Sequence, residues 1–178
     1  MIRSTFLALA LTAPTFALAV GSDDFKPPKT TETTTECTDG QIYDETTKTC
    51  VDAKESSLGD DVLYQAVREF AYAGQYDAAK RAMDAMSNQQ DDRVLTYRGF
   101  VNRKLGNTEL AMQYYSAALT KNPDNLLARS YMGQGLAKAG NMPAARIQLS
   151  EIRARGGADT WAEIALADAI KTGVTYNY

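Results

Sequence analysis

Histidine is absent from this 178-residue chain. That absence removes the side chain that most often exchanges protons near neutral pH, and the commonest metal-binding side chain with it. Ser-His-Asp and Cys-His mechanisms are excluded, as is any zinc site built on imidazole. Cysteine is nearly absent, with only Cys37 and Cys50. Beyond the N-terminal segment, no stretch is apolar enough to cross a bilayer. The chain has no Gly-rich phosphate loop following a strand and no EF-hand spacing. Carboxylates pair at Asp23-Asp24, Asp60-Asp61 and Asp91-Asp92. The last two pairs precede helical segments, where negative charge suits the positive end of the helix dipole. They read as caps and not as acid–base pairs. No catalytic residue, metal or cofactor is expected, and the chain does not read as an enzyme.

The first segment reads as targeting sequence. Arg3 supplies positive charge, Phe6 to Leu11 is a short apolar run, and Ala17-Leu18-Ala19 offers a small-x-small cleavage pattern. Residues 1–19 are therefore expected to be a signal peptide, with no cysteine after the cut to take a lipid. Export makes an isolated cysteine pair read first as a disulfide, Cys37 to Cys50. Gln41-Ile42-Tyr43 and Thr49-Cys50-Val51 are expected to pair as short strands around a turn. This loop, 37–50, is expected to lie outside the helical core. Residues 20–36, with Pro27-Pro28 and the run Thr30 to Glu36, read as a flexible Thr-rich linker too poor in apolar groups to order. Residues 51–59 read as a hinge.

Charge is divided unevenly. Ser22 to Asp61 carries 4 basic and 11 acidic side chains, a net of −7. Val62 to Tyr178 carries 14 and 11, a net of +3. So small a positive balance gives no case for nucleic acid.

From Asp60 onward apolar residues recur at helical spacing, beginning with Val62, Ala66, Val67 and Phe70. Breaks fall at Gly74, Gly106, Asn122-Pro123, Gly140 and Gly156-Gly157. The helices repeat. Gly106 and Gly140 stand 34 residues apart, as do Gly99 and Gly133, and Ala111 and Ala145. A 34-residue period built of two helices, with Gly99, Gly106, Ala111, Tyr115, Ala118-Leu119 and Pro123 in order, resembles the tetratricopeptide repeat.

The resemblance implies an all-α, right-handed superhelical stack over 60–171. Repeats would fall at about 60–91, 92–125 and 126–159, followed by a capping helix at 159–171 and a tail at 172–178. Gly99 and Gly133 would sit where helix A crosses its own helix B, a contact that a side chain would push apart. Gly106 and Gly140 would end each helix A in a left-handed cap. Ala111 and Ala145 would form the small counter-surface, and Pro123 would stop helix B. Thr160 with Glu163 predicts a capping box for the last helix, and the lone Trp161 is expected to pack. Arg98, Asn102 and Arg129 occupy places that the family usually fills with apolar residues. Either the helices are rotated, or these three form one polar network between the second and third pairs.

The resemblance also implies a concave groove lined by the A helices. Its expected lining is Tyr64, Arg68 and Tyr72, then Arg93, Tyr97, Phe100, Arg103 and Lys104, then Ser130, Tyr131, Gln134 and Lys138. Tyr and Arg give large contact area at low entropic cost. Some family members hold a peptide's terminal carboxylate with lysine, asparagine and arginine. Here Tyr64, Arg68, Tyr97, Leu127 and Tyr131 occupy those places, so that activity is not carried over. The expectation is a periplasmic or secreted module that binds an envelope protein or peptide. The alternative is a homo-oligomer associating through the capping helix or the Tyr176-Asn177-Tyr178 tail. The acidic arm is a candidate to dock in the groove by charge.

Overall fold

The structure is a computed structural model that describes residues 26–55 and 57–175. The expected signal peptide, Asp23, Asp24 and the Tyr176-Asn177-Tyr178 tail lie outside those residues. The described chain is all-α apart from one small hairpin. A short helix, α1 (Glu32–Thr35), and two strands, β1 (Ile42–Asp44) and β2 (Thr49–Val51), precede seven helices. These are α2 (Asp60–Tyr72), α3 (Tyr76–Ala85), α4 (Asp92–Lys104), α5 (Thr108–Lys121), α6 (Leu126–Lys138), α7 (Met142–Ala154) and α8 (Trp161–Thr172).

Several helices begin and end for local reasons. Asp91 accepts from the Arg93 amide, Asn125 from the Ala128 amide and Thr160 from the Glu163 amide, which satisfies helix-start donors. Glu163 returns to the Asp159 amide at 3.1 Å, one residue earlier than an ideal capping box. Gly106 and Gly140 have φ of +89° and +81°, the left-handed conformation that ends α4 and α6. Three-residue connections then fold α2 onto α3, α4 onto α5 and α6 onto α7.

Close approach explains Gly99, Gly133 and Gly157. A Cβ on Gly99 would stand 2.5 Å from Cε1 of Tyr115 on α5. A Cβ on Gly133 would stand 3.3 Å from Gln148 of α7 but 2.6 Å from Leu166 of α8, so its tighter neighbour is the last helix. In the turn before α8, a Cβ on Gly157 would lie 3.0 Å from Leu126. Leu126 opens α6 and Gly133 lies further along it, so α8 runs beside α6 in the same direction. One continuous core extends from Ile42 through α2 and α4 to Ala162 and Leu166.

The N-terminal region departs from expectation. The hairpin pairs Ile42 with Val51, Tyr43 with Cys50 and Asp44 with Thr49, and Cys37 is bonded to Cys50. It is part of the core and not outside it. Ile42 is only 1% exposed. Gly40 is pressed on Ala78 of α3, where a Cβ would lie 2.6 Å from the alanine Cβ. Arg81 of α3 donates to the Asp39 carbonyl at 2.5 Å. The stretch expected as a flexible linker is, from Lys26 onward, laid on α2 and carries α1. Its threonines find partners that its composition does not announce.

Candidate binding face

The twelve side chains expected to line the groove lie on α2, α4 and α6, and the structure brings most of them together. Tyr64 and Tyr97 meet edge to face at 5.8 Å, and Tyr97 and Tyr131 do so at 5.9 Å. Phe100 is stacked on Tyr72 at 5.5 Å and tilted against Tyr131 at 4.9 Å. Such contacts favour a fixed arrangement beyond plain burial. The phenol groups also bond to one another. Tyr72 and Tyr131 hydroxyls are 2.6 Å apart, Tyr97 and Tyr131 are 3.3 Å apart, and Trp161 donates its indole N–H to the Tyr72 hydroxyl at 3.1 Å. Burial raises the Tyr97 and Tyr131 phenols above their ordinary range, so both remain protonated partners in this network.

The face differs from an open groove. Tyr64, Arg68, Tyr72, Tyr97, Phe100, Arg103, Tyr131 and Gln134 are all buried. Arg93 and Lys104 are half-buried, and Lys138 is exposed. Five aromatic rings on three adjacent helices produce a second layer of core. Trp161 at the start of α8 packs against it, as its amphipathic helix suggests.

The cations play separate roles. Arg93 donates to Asp61 of α2 at 2.8 Å and to Asp91 at its own helix start, while its guanidinium lies 4.9 Å from the Tyr64 ring centre. It ties α2 to α4. Arg103 donates through Nε to the Tyr115 hydroxyl at 3.4 Å and lies 5.6 Å from the Phe100 ring centre. Its Nη2 is buried and has no hydrogen-bond partner among the described residues. On the neighbouring α6, Gln134 donates to Ser130 at 3.2 Å, but its buried Oε1 has no partner among the described residues. Lys104 lies 5.3 Å from the Phe100 ring centre. Burial, with Arg103 and Lys138 nearby, lowers its ammonium to about 7.

At the α2 margin, Arg68 donates to Gln65 at 3.2 Å and to the Lys26 carbonyl at 3.0 Å. Beside it Glu69 is buried and accepts from three groups of the N-terminal arm. The Thr31 amide reaches Oε1 at 2.7 Å and the Thr31 hydroxyl reaches Oε2 at 2.6 Å. The Thr34 hydroxyl is the third donor. Glu69 and these threonines escaped the sequence reading because the bonded residues are 35 and 38 positions apart, with no local signature.

The polar residues at core-like positions resolve into separate sites. Arg98 bonds Asp84 at 3.0 Å and also Gln89, joining α4 to the α3 side. Arg129 donates twice to the Pro123 carbonyl, at 3.1 and 2.7 Å, and once to Gln148 at 3.2 Å. Asn102 bonds the Arg98 carbonyl at 2.8 Å, within its own helix. No single network joins the three, and each satisfies nearby groups.

Among the described residues no three His, Cys, Asp or Glu side chains gather as a metal site, and no helix is long and apolar enough to cross a membrane. The Cys37–Cys50 bond fits an oxidising compartment. Comparison with protein-family models, curated proteins and solved structures found no match to this chain.

Proposed function

We propose that this chain is a non-catalytic, tetratricopeptide-type binding module, exported to a bacterial periplasm or secreted, that receives an extended segment of an envelope protein on the face of α2, α4 and α6. One observation carries the reading. Arg103 Nη2 is a buried donor and Gln134 Oε1 a buried acceptor, on adjacent helices of that face, and neither has a partner among the described residues. An unsatisfied buried polar group costs about 1–3 kcal/mol. A peptide carbonyl is the acceptor that Arg103 lacks, and a peptide amide is the donor that Gln134 lacks. The buried aromatic cluster fixes the helices behind this face, while Lys104 and Lys138 favour negative charge on the partner. The absence of histidine and of any nucleophile–base pair argues against catalysis.

Affinity capture from envelope extract tests this. The double variant Lys104→Glu/Lys138→Glu should fold normally and lose a discrete protein that the unaltered chain retains. Equal capture by both would contradict binding at this face.

Exposed Ile164 on α8 and exposed Val174 after it favour a second reading, self-association through the last helix. Light scattering over a concentration series separates the two, since only self-association raises the mass with concentration.

A further inference from the structure

The arm from Lys26 to Thr35 is bound to α2 in the manner of a ligand. Its backbone carbonyl at Lys26 is read by Arg68, and its backbone amide and hydroxyl at Thr31 are read by Glu69. Both reading side chains are buried and charged, at 3% and 7% exposure. Together they supply a donor for a peptide carbonyl and an acceptor for a peptide amide.

One further hydrogen bond holds the arm, from the Tyr43 amide of the hairpin to the Thr33 hydroxyl at 3.2 Å. Thr33 is its only buried residue. Pro27 and Pro28 have no amide hydrogen to donate. Cavities of about 370 and 280 Å³ flank it, the first beside Gln65 and Arg68, the second beside Tyr72 and Ala73. Tyr72 belongs to the aromatic cluster, so this margin is continuous with the face of α2, α4 and α6. On its C-terminal side the arm is fixed at Cys37 in the docked hairpin. A segment so tethered sits at millimolar effective concentration, and weak contacts suffice to keep it in place.

We infer that Arg68 and Glu69 form a peptide-reading subsite, occupied in cis by residues 26–35, and that a partner's extended segment enters by displacing this arm. The inference rests on the binding-module reading and specifies its ligand. That ligand is a segment with a backbone carbonyl for Arg68 in an extended stretch and, further along, a Ser or Thr at the start of a helical turn, as Thr31 caps α1, whose amide and hydroxyl both reach Glu69. Recognition of this kind uses the extended stretch before α1 and the Thr31 amide at its N-cap, backbone groups that no helix or strand has already used.

The test uses the full chain and a fluorescent peptide of residues 26–35 as probe, read by anisotropy. Thr31→Ala/Thr34→Ala weakens the resident arm while the probe keeps both threonines. The variant should bind the probe at least about tenfold more tightly than the unaltered chain, because competition in cis is relieved. Adding Glu69→Leu, which keeps volume and removes every acceptor, should abolish the gain. Equal affinity for the unaltered chain and the double variant, or a gain indifferent to Glu69→Leu, overturns the subsite. If the double variant fails to fold by circular dichroism, Glu69→Leu alone decides by hydrogen exchange. Fast exchange at the Thr31 amide supports the contact, and unchanged protection refutes it. The capture experiment reads Lys104 and Lys138 instead. A negative result here with charge-dependent capture intact removes the subsite and leaves the binding module standing.

Discussion

Thr31 and Glu69, 38 residues apart, are joined twice, amide to Oε1 at 2.7 Å and hydroxyl to Oε2 at 2.6 Å. This contact holds the arm on α2, so breaking it should free the arm without unfolding the helices. In Thr31→Ala/Thr34→Ala, trypsin should cut rapidly after Lys29. Lys26 is followed by proline and is a poor reporter. Cleavage at the same rate in the unaltered chain would show that these bonds do not restrain the arm.

The hairpin should matter to stability, contrary to what its place in the sequence suggests. Ile42 is in the common core, and Gly40 and Asp39 are pressed on α3. Opening the disulfide releases a short loop, worth about 3 kcal/mol in the chain-entropy model. Urea unfolding with reductant should therefore shift to lower midpoints. Ile42→Ala should cost about 2–5 kcal/mol, as for other buried isoleucines. Coincident curves with and without reductant would place the hairpin outside the cooperative unit.

Gly99 should tolerate no side chain. Its neighbour Tyr115 is fully buried, and the Tyr115 hydroxyl accepts from Arg103, so the ring has little room to retreat. Gly99→Ala should destabilise by about 1–3 kcal/mol, the usual range for overpacking. Denaturant unfolding checks it, and an unchanged midpoint would mean that α4 and α5 are less closely packed than described.

Lys104 should give stability a slope with pH. Its ammonium is lowered to about 7 in the folded chain, from an ordinary value of 10.5. Between these values the unfolded chain holds a proton that the folded chain has shed. The stability contributed by this group therefore rises from about pH 7 towards 10.5 and is lost as pH falls through 7. Lys104→Met should flatten that slope in unfolding measured across the interval. An acidic ligand should show the opposite trend, binding more tightly as pH falls through 7 and Lys104 gains its charge.

The helices and their junctions were legible because they depend on local rules. Spaced apolar residues, glycines at φ near +80° and capping side chains each act within a few positions. The hairpin strands were legible to within one residue, because short runs flanking a polar turn mark them, with β1 at Ile42–Asp44 and β2 at Thr49–Val51. What covers the face was not. Tyr97 and Tyr131 look the same in sequence whether they line a groove or a core, and only the course of α8 and of the arm decides. Arg98 and Arg129 were marked as anomalous, but their partners at Asp84 and at the Pro123 carbonyl depend on how neighbouring turns approach. Glu69 gave no sign, because it sits in an amphipathic helix and its donors come from a segment with no periodicity.

Site-specific photo-crosslinking tests the central claim most directly. A photoreactive residue at Lys138, exposed at the end of α6, should join the chain to a discrete envelope protein. The same residue at Ile147, exposed on α7, should not. Adducts of equal yield from both positions, or adducts only to a second copy of this chain, would contradict peptide binding on the face of α2, α4 and α6.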